Sequence, residues 1–410
     1  MSFLKLGFLN LFRQKRRTAI SLLVITIGIG FLLLTIGHSK YIEWALREST
    51  IHSETGHLQV FDPRFFDQGE NTILEYGLDG FENIRKNLYQ LPEVCLILAR
   101  IDLMGLISNG EKSVACIGQG VEPGLEKQMR TLFGNSGTQF DPLISEAQEN
   151  ERILLGNGLA KSLNAKTGDY ITLMTTTAKG ALNALDLKVA GTFSGYSPEY
   201  DARAMIIPLG AARMLLDTQK VKNLLVVLDK TENTDLLYHK ILSHSKEKKY
   251  SVNLKKWHEQ ADYYNQVKQF YHQITGFLSL VLFLIVFFST SNTVVMTIVE
   301  RTTEIGTMLS MGTSKWQTLK TFFYEGLCIG LIGGILSISF AYGLSELINS
   351  FNITLPPPPG LTDGYPLMIR NEWNFYAQIF GVTVLITSFS SLLPALRATH
   401  MKIVDALGHI

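Results

Sequence analysis

The residues that could carry out chemistry in this sequence are few and scattered. His52 and His57 lie five positions apart in HSETGH, where two imidazoles could bind one metal ion if the backbone bends. Glu199 and Asp201, in PEYDAR, could act as an acid and a base only if the fold brought them together beside a nucleophile. Solvated loop histidines and a surface turn are the simpler explanations. We therefore predict no catalytic site, no metal site and no cofactor.

The short motifs of common catalytic and nucleotide-binding sites are also missing. The sequence has no GxxxxGK[ST] phosphate loop, no HExxH, no GxSxG and no CxxC pair. We therefore predict that the chain is not an enzyme and does not itself hydrolyse ATP. Its three cysteines, Cys95, Cys116 and Cys328, are too few and too far apart for a zinc site or a disulfide framework.

The elements that position these residues are dominated by apolar segments. Hydrophobic residues make up 46% of the chain and charged residues 18%, and the net charge of +1 does not indicate a nucleic-acid partner. Four segments without charge are long enough to cross a membrane, which takes about 20 residues. These are residues 19–37, 274–299, 326–345 and 375–396. A signal peptide and buried core helices are the alternatives, and the lengths argue against both.

Lysine and arginine positions predict how the chain is oriented. Residues 1–18 are basic, amphipathic and free of acids, and basic residues also occur in segment 300–325 and in the tail, residues 397–410. The loop 346–374 contains LPPPPG, and its only lysine or arginine is Arg370. Since basic loops stay in the cytoplasm, both termini are expected inside. Residues 38–273 then form a large domain outside the cytoplasm, between the first and second spans.

Patterns in residues 38–273 predict a mixed α and β domain. Strand-like segments such as GHLQVF and GDYITLMT alternate with helical ones, and a β-rich insertion at about residues 125–208 is expected within an αβ subdomain. Asn109-Gly110 predicts a two-residue hairpin turn. That turn would place Cys116 opposite about Met104, so a disulfide with Cys95 would need another register.

Segment 300–325 begins with ERTTEIGTMLSMGTSK, which follows the second span. Its apolar residues fall on one helical face: Ile305, Met308, Leu309, Gly312, Trp316 and Leu319. The segment could rest on lipid headgroups or bind another protein. Gly306 and Gly312 each weaken a lone helix by about 1 kcal/mol, which is unexpected for a helix that only floats on lipid. Periodicity alone does not distinguish a lipid-bound helix from one that binds another protein.

Smaller patterns concern the spans themselves. Gly326, Gly330 and Gly333 form a small-residue stripe that predicts close helix packing in the third span. The polar cluster STSNT in the second span is explained by hydrogen bonds between helices. We expect this span to continue as helix from Trp257, giving a lever of roughly 60 Å.

Several of these motifs carry a family resemblance. ERTTEIGTMLSMGTSK resembles the signature that follows the second span in the FtsX/MacB superfamily of ABC transporter permeases, close to E-R-x-x-E-I-G-x-x-x-A-x-G-A. LFRQKRRTAISLLVITIGI resembles the same family's basic entry to the first span, YEGLCIGLIGGILSI its third span, and LPALRATHMKIVDAL its exit from the fourth span. Met311 and Val404 depart from the usual Ala and Pro. GNGLAKSLNAKTGDYITL and neighbouring motifs look most similar to lipoprotein-releasing permeases of the LolC/LolE type.

The resemblance implies a partner set and a mechanism called mechanotransmission. It implies two copies of a separate ATPase subunit, a second permease chain, amphiphilic cargo such as a lipoprotein, and a periplasmic carrier, in a bacterial inner membrane. Efflux of the MacB kind and FtsX-like signalling without cargo are the alternative functions. The residues expected to couple to the ATPase are Glu300, Arg301, Glu304, Ile305, Gly306, Met308, Leu309 and Gly312.

Overall fold

The chain divides into two compact units in a computed structural model. The helical unit comprises Met1–Glu43, Val267–Thr354 and Pro366–Ile410, and the sheet unit comprises Trp44–Gln266 and Leu355–Tyr365. The described residues are 7, 8, 10, 11, 13, 15–66, 75–132, 138–144, 149–194, 197–247, 252–355 and 365–399. Most of the proline-rich LPPPPG segment, the end of the tail with Val404, and part of the basic N-terminal segment lie outside them.

The helices and strands are numbered here in chain order. The helices are α1 (Lys15–Thr50), α2 (Phe81–Leu88), α3 (Pro123–Thr131), α4 (Asn157–Leu163), α5 (Pro198–Asp201), α6 (Leu209–Leu216), α7 (Thr234–Glu247), α8 (Asp262–Glu300), α9 (Thr302–Ser310), α10 (Lys315–Ser350) and α11 (Trp373–Thr399). The strands are β1 (Leu58–Phe61), β2 (Val94–Ser108), β3 (Ser113–Val121), β4 (Arg152–Gly156), β5 (Tyr170–Thr176), β6 (Leu182–Phe193), β7 (Ala204–Pro208), β8 (Asn223–Leu228), β9 (Asn253–Lys256), β10 (Thr354–Leu355) and β11 (Tyr365–Pro366).

Within the part of the chain that the structure describes, four helices are long and apolar enough to cross a membrane: α1, α8, α10 and α11. Each contains one predicted span, so the prediction of four membrane helices is confirmed at the level of length and composition. Helix α8 begins at Asp262 rather than at the predicted Trp257, because Trp257–Glu259 forms a separate 3-10 turn. Its 39 residues still give a rod of about 58 Å.

The helical unit has an apolar core that α1 dominates. Ile25, Ile29, Leu32 and Leu33 of α1 are buried against side chains from the other three long helices. In contrast, α8 leaves much of its apolar surface uncovered within one chain, and Phe288 is one of its exposed side chains. An uncovered apolar helix face fits lipid or another hydrophobic helix.

Nine strands of the sheet unit form one continuous sheet. Their order is β3-β7-β4-β6-β5-β2-β8-β1-β9, and β2 pairs with β3 as well. Strands β2, β3, β7, β4, β6 and β5 therefore close a six-stranded barrel, while β2, β8, β1 and β9 form an open antiparallel sheet. The pairs β3 with β7 and β4 with β6 are parallel. The predicted mixed α and β class is confirmed.

Strand β2 belongs to both the barrel and the open sheet. Its first half pairs with β8 from Val94 to Arg100, and its second half pairs with β3 from Ile101 to Ser108. The predicted insertion at about residues 125–208 contains β4 to β7, while β2 and β3 precede it. Successive side chains of a strand point to opposite faces of the sheet. The buried side chains of the barrel strands join those of the open sheet and the adjoining helices in the largest apolar core.

The hairpin between β2 and β3 is longer than predicted. Ser108 pairs with Ser113, so the loop holds four residues, and Cys116 lies opposite Gly105. The cause is the Asn109 side chain, whose Oδ1 accepts hydrogen bonds from the backbone N–H groups of Glu111 and Lys112. Cys95, Cys116 and Cys328 are free thiols, and no disulfide forms among them.

Candidate functional site

The segment after α8 folds as a short helix, a tight turn and a second helix. Helix α9 ends where Gly312 adopts φ +93°, and the Gly312 and Thr313 N–H groups donate to the carbonyls of Leu309 and Met308. Ser314 then starts α10 with a capping box: its hydroxyl accepts from Gln317 N–H, and the Gln317 side chain accepts from Ser314 N–H. The prediction of one helical face from Ile305 to Leu319 is therefore wrong beyond Ser310.

One side of α9 packs into the helical unit. Ile305 and Gly306 are buried and Leu309 is partly buried. Ile305 and Leu309 join an apolar cluster with side chains of α8, α10 and α11, namely Val294, Ile298, Leu319, Phe322 and Ala395. The predicted coupling residues on this side hold α9 in place rather than present a surface.

The opposite side of the turn is open. Met308, Met311 and Trp316 are exposed, Met311 by 78% and Trp316 by 74%. We call these three residues the exposed edge. Gly312 lies at its tip and Lys315 is exposed beside it. Of the predicted coupling residues, only Met308 and Gly312 therefore belong to this apolar surface. Met311 and Trp316 were not among them, although their large side chains at a glycine turn were a usable signal.

Charged side chains join the end of α8 and the start of α9 to the basic residues around the start of α1. Glu304 binds Arg13 at 3.0 Å and Arg301 at 2.9 Å, while Glu300 binds Arg17 at 2.5 Å. The hydrogen bond from Arg301 lowers the pKa of the Glu304 carboxyl below its usual value. The acidic coupling residues therefore bind arginines within the chain, and the pairs with Arg13 and Arg17 are exposed to solvent.

Close helix contacts explain the predicted glycine stripe in α10. A Cβ atom on Gly326 would lie 2.6 Å from the Thr387 carbonyl oxygen, and one on Gly330 would lie 2.9 Å from the Val384 Cα of the same helix, α11. A Cβ on Gly333 would lie 2.8 Å from Ile25 Cγ2 in α1. The three glycines thus serve two different neighbouring helices.

The STSNT cluster of α8 contributes one link to α1. Thr293 Oγ1 lies 2.5 Å from Ser21 Oγ, a hydrogen bond between two helices. In α10, Ser337 Oγ donates to the Ile25 carbonyl of α1 at 3.1 Å. Polar side chains of α8 and α10 therefore form hydrogen bonds to α1 where these helices pack together.

The candidate metal pair does not form a metal site. The His52 and His57 rings stand edge to face with centroids 5.6 Å apart. His57 Nδ1 accepts from Leu228 N–H and its Nε2 bonds to Thr231 Oγ1, so both nitrogens are occupied. Among the described residues, no group of three His, Cys, Asp or Glu side chains is placed to bind a metal.

The candidate acid and base pair is not assembled either. Asp201 is buried and accepts hydrogen bonds from the N–H groups of Asn157 and Gly158 at the start of α4, whereas Glu199 is exposed. Asp201 thus fixes the end of a helix, which corrects the expectation of a solvated turn. Its partners lie over 40 positions away in sequence and could not be read from PEYDAR.

Two family models match the chain. The MacB-like periplasmic core domain matches residues 18–243, and the FtsX-like permease C-terminal region matches residues 276–403. Together the matches cover the chain from α1 to the end of α11 except for residues 244–275. The sheet unit thus lies largely in the first match, and the candidate site around α9 lies in the second.

The chain is also similar to individual curated proteins and to solved structures. The Haemophilus influenzae lipoprotein-releasing system transmembrane protein LolC is 24% identical over 68% of this chain and 72% of its own length. LolE of the same organism is 22% identical over 80% of each chain. The periplasmic region of MacB from Actinobacillus actinomycetemcomitans aligns in structure with a TM-score of 0.35 and 12% identity, covering 51% of this chain and 92% of its own.

The matched regions account for the four apolar helices and the mixed α and β unit between the first two of them. The chain belongs to the FtsX/MacB superfamily of ABC transporter permeases, in which it is similar to LolC and LolE.

Proposed function

We propose that this chain is the permease subunit of an ABC transporter that extracts lipoproteins from a bacterial inner membrane and passes them toward a periplasmic carrier. The support for the cargo is the similarity to LolC and LolE over 68% and 80% of the chain. The absence of a phosphate loop in the sequence supports a separate ATPase subunit. ATP-driven movement would reach the sheet unit by mechanotransmission.

The orientation is part of the proposal. Both termini and the segment 300–325 lie in the cytoplasm, and the sheet unit lies in the periplasm, with the proline-rich loop 346–374 on the same side. The support is the concentration of lysine and arginine in residues 1–18 and in the two other cytoplasmic segments. An ATPase in the cytoplasm can then reach the turn between α9 and α10.

The exposed edge is the observation that carries the coupling proposal. Met308, Met311 and Trp316 form an apolar surface on a turn whose other side is anchored in the helical unit. Tryptophan and methionine at the centre of a small exposed patch are typical of protein interfaces. A helix that only floated on lipid would need no such rigid anchor, so the edge favours an ATPase as the partner.

A second permease chain is expected beside α1 and α8. Helix α8 exposes apolar side chains along its length, including Phe277, Leu280 and Phe288. Burying such a face against a second chain removes apolar surface that would otherwise face lipid alone, and close packing then drives association. Two permease chains would position two ATPase subunits side by side, either in a homodimer or in a heterodimer.

Depletion of the protein in its native bacterium tests the function. Lipoproteins destined for the outer membrane should accumulate in the inner membrane, as measured by separating the membranes and probing a reporter lipoprotein. Normal sorting together with loss of drug resistance would favour MacB-like export instead. Normal sorting with a defect in cell-wall cleavage would favour FtsX-like signalling. Either of these two results would overturn lipoprotein release.

A further inference from the structure

The end of the first long helix has an unusual form within the sheet unit. After α1, residues Ile51–Thr55 continue as a π-helix, and the chain then turns at Gly56, where φ is +61°. Gly56 N–H donates to the Ile51 carbonyl at 2.9 Å. The carbonyl groups at a helix end have no partners within the helix, so other groups must satisfy them. Single π-turns in long helices are frequent at functional sites.

Arg100, from the middle of β2, supplies those partners. Its Nη1 donates to the Glu54 carbonyl at 2.7 Å and its Nη2 donates to the Ser53 carbonyl at 3.0 Å. The same guanidinium binds both carboxylate oxygens of Glu126 in α3, at 2.6 Å and 2.8 Å. Arginine presents its donors in a rigid plane, so one side chain can hold two elements at once. The helix end, β2 and α3 are thereby joined.

This ion pair is buried, which sets it apart from most pairs in the chain. The Arg100 and Glu126 side chains are 6% and 1% exposed. Buried ion pairs contribute little net stability compared with apolar residues of similar volume, because both charges must lose their water. Stability alone therefore does not explain why this position holds an arginine. The need to bind two backbone carbonyls at the helix end does.

A second connection fixes the same helix one turn earlier. Thr231 Oγ1 donates to the Glu48 carboxylate, and the Nε2 of His57 lies 3.1 Å from the same hydroxyl. His57 Nδ1 accepts from Leu228 N–H, which leaves the proton on Nε2 and makes that nitrogen the donor. Burial lowers the pKa of His57 to about 3, so this ring stays neutral at physiological pH.

We propose that the Arg100–Glu126 pair is a positioning clamp that makes the last turns of α1 and the sheet move as one body. The inference rests on the proposed function in one respect: the movement it transmits is the mechanical output of the ATPase. With the clamp in place, a displacement of α1 reaches the barrel through β2, the strand that carries Arg100. Without the clamp, the π-turn at Ser53 and Glu54 opens and absorbs the displacement.

Hydrogen exchange on the full chain in lipid nanodiscs tests the clamp directly. The variant Arg100→Met/Glu126→Leu removes both charges and keeps the volume nearly unchanged. The Gly56 and His57 amides, which donate to the Ile51 and Val226 carbonyls, should exchange about tenfold faster than in the wild type. Amides of β5, in the barrel, should exchange at the wild-type rate. Unchanged exchange at Gly56 and His57 would overturn the clamp.

A matched pair in the same unit provides the control. Arg85 binds Glu122 through two hydrogen bonds of 2.9 Å and 2.7 Å without touching the helix end. Glu122 also accepts from Ala99 N–H, which the variant Arg85→Met/Glu122→Gln can preserve. This control should change exchange at Gly56 by less than about twofold. An equal acceleration in the control would mean that any lost ion pair loosens the unit, and would overturn the proposal.

Transport adds a second readout. In proteoliposomes containing the ATPase subunit and a triacylated fluorescent reporter lipoprotein, the Arg100→Met/Glu126→Leu variant should hydrolyse ATP at the wild-type rate but release about one tenth as much reporter per ATP. Full release per ATP by a variant with fast exchange at Gly56 would overturn the transmitting role. A wild-type chain that releases no reporter would refute the proposed cargo, while the exchange result would still decide the clamp.

The milder Arg100→Lys variant keeps the test decisive if the double variant does not fold. Lysine can bind Glu126 but lacks the planar fork that holds two carbonyls and a carboxylate together. Exchange at Gly56 should accelerate while the barrel amides stay protected. Wild-type exchange at Gly56 in Arg100→Lys would count against the clamp.

Discussion

The two ends of α1 carry arginine–glutamate pairs of opposite character. At its start, Arg17 binds Glu300 and the preceding Arg13 binds Glu304, and these side chains are between 38% and 62% exposed. Near its end, Arg100 and Glu126 are almost completely buried and hold the backbone of the π-turn. Exposed pairs can exchange partners at little cost in free energy, whereas buried pairs cannot. The first arrangement suits a surface that adjusts to a partner, and the second suits a fixed joint.

Breaking the buried pair on one side should have the largest effect. Arg100→Met alone leaves the Glu126 carboxylate buried without its cation, and we expect a loss of about 3–5 kcal/mol in the free energy of unfolding of the sheet unit. Differential scanning fluorimetry of the purified protein measures this as a lower Tm. Adding Glu126→Leu should restore most of the stability. If the double variant is no more stable than the single one, the unpaired buried charge of Glu126 is not the cause of the lost stability.

Next in size is the effect of a side chain in a tight helix contact that involves no ion pair. Gly330→Ala forces a methyl group against Val384 and Thr387 of α11, and we expect destabilisation by about 2–3 kcal/mol. Gly343→Ala lies in the same helix with open space around it, so it should be neutral or slightly stabilising. The Tm values of the two variants measure this difference in stability. Equal values would show that α10 and α11 adjust easily to an added methyl group.

Truncating the exposed edge should affect binding rather than folding. Trp316→Ala is expected to weaken binding of the ATPase subunit by about 2 kcal/mol, or roughly 30-fold in Kd, because exposed tryptophans at interfaces often dominate affinity. Titration of the labelled ATPase subunit against the permease in nanodiscs measures this. Trp373→Ala removes a similarly exposed tryptophan outside this segment and should leave Kd unchanged. A loss shared by both variants would contradict a docking role for the edge.

The exposed pairs should give the smallest effect. Glu304→Gln removes the bonds to Arg13 and Arg301, and we expect a loss of less than about 1 kcal/mol in unfolding free energy. The pKa of Glu304 is lower in the folded state than in the unfolded chain. The ionised carboxylate therefore stabilises the fold at pH values above its unfolded pKa, and this stabilisation is lost as the pH falls through the lowered pKa of the folded state.

Unfolding measured at pH 7 and below pH 4 tests this pH dependence. The difference between wild type and Glu304→Gln should shrink in acid, and it should also shrink at high salt. A difference that grows in acid would contradict the direction of the pKa shift.

The sequence predicted the membrane helices well because length and lack of charge are local properties. Residues 274–299 were recognised from composition alone and lie within α8. The family motifs also sit in these local segments, and the family matches confirm the resemblance. Local signals of this kind do not depend on which parts of the chain meet in three dimensions.

The turn after α9 breaks the predicted single helical face, although the sequence contains the signal for it. Ser314 and Gln317 have the spacing of a capping box, which marks the start of a new helix, and Gly312 precedes it as a typical helix end. Apolar periodicity continued across this break only by coincidence. Trp316 therefore lies on the open side of the turn, although its spacing places it on the face that includes the buried Ile305.

The buried clamp could not be predicted from local patterns. Arg100 reaches carbonyl groups of Ser53 and Glu54, which any residue type would offer, from 46 or 47 positions away. A lone arginine in an apolar strand carries no information about such partners. The same holds for Asp201, whose partners are backbone N–H groups of α4.

Strand β1 has a consequence for how the chain is made. It follows α1 almost at once, yet both of its partners come much later: Leu58 pairs with Val226 in β8 and with Lys256 in β9. Every residue of β1 is buried in the finished sheet. During synthesis this strand therefore stays unpaired until nearly the whole sheet unit has been synthesised. An unpaired apolar strand is prone to aggregate. Its pairing is completed only by β9, just ahead of α8, so this part of the protein finishes folding as its second membrane helix begins.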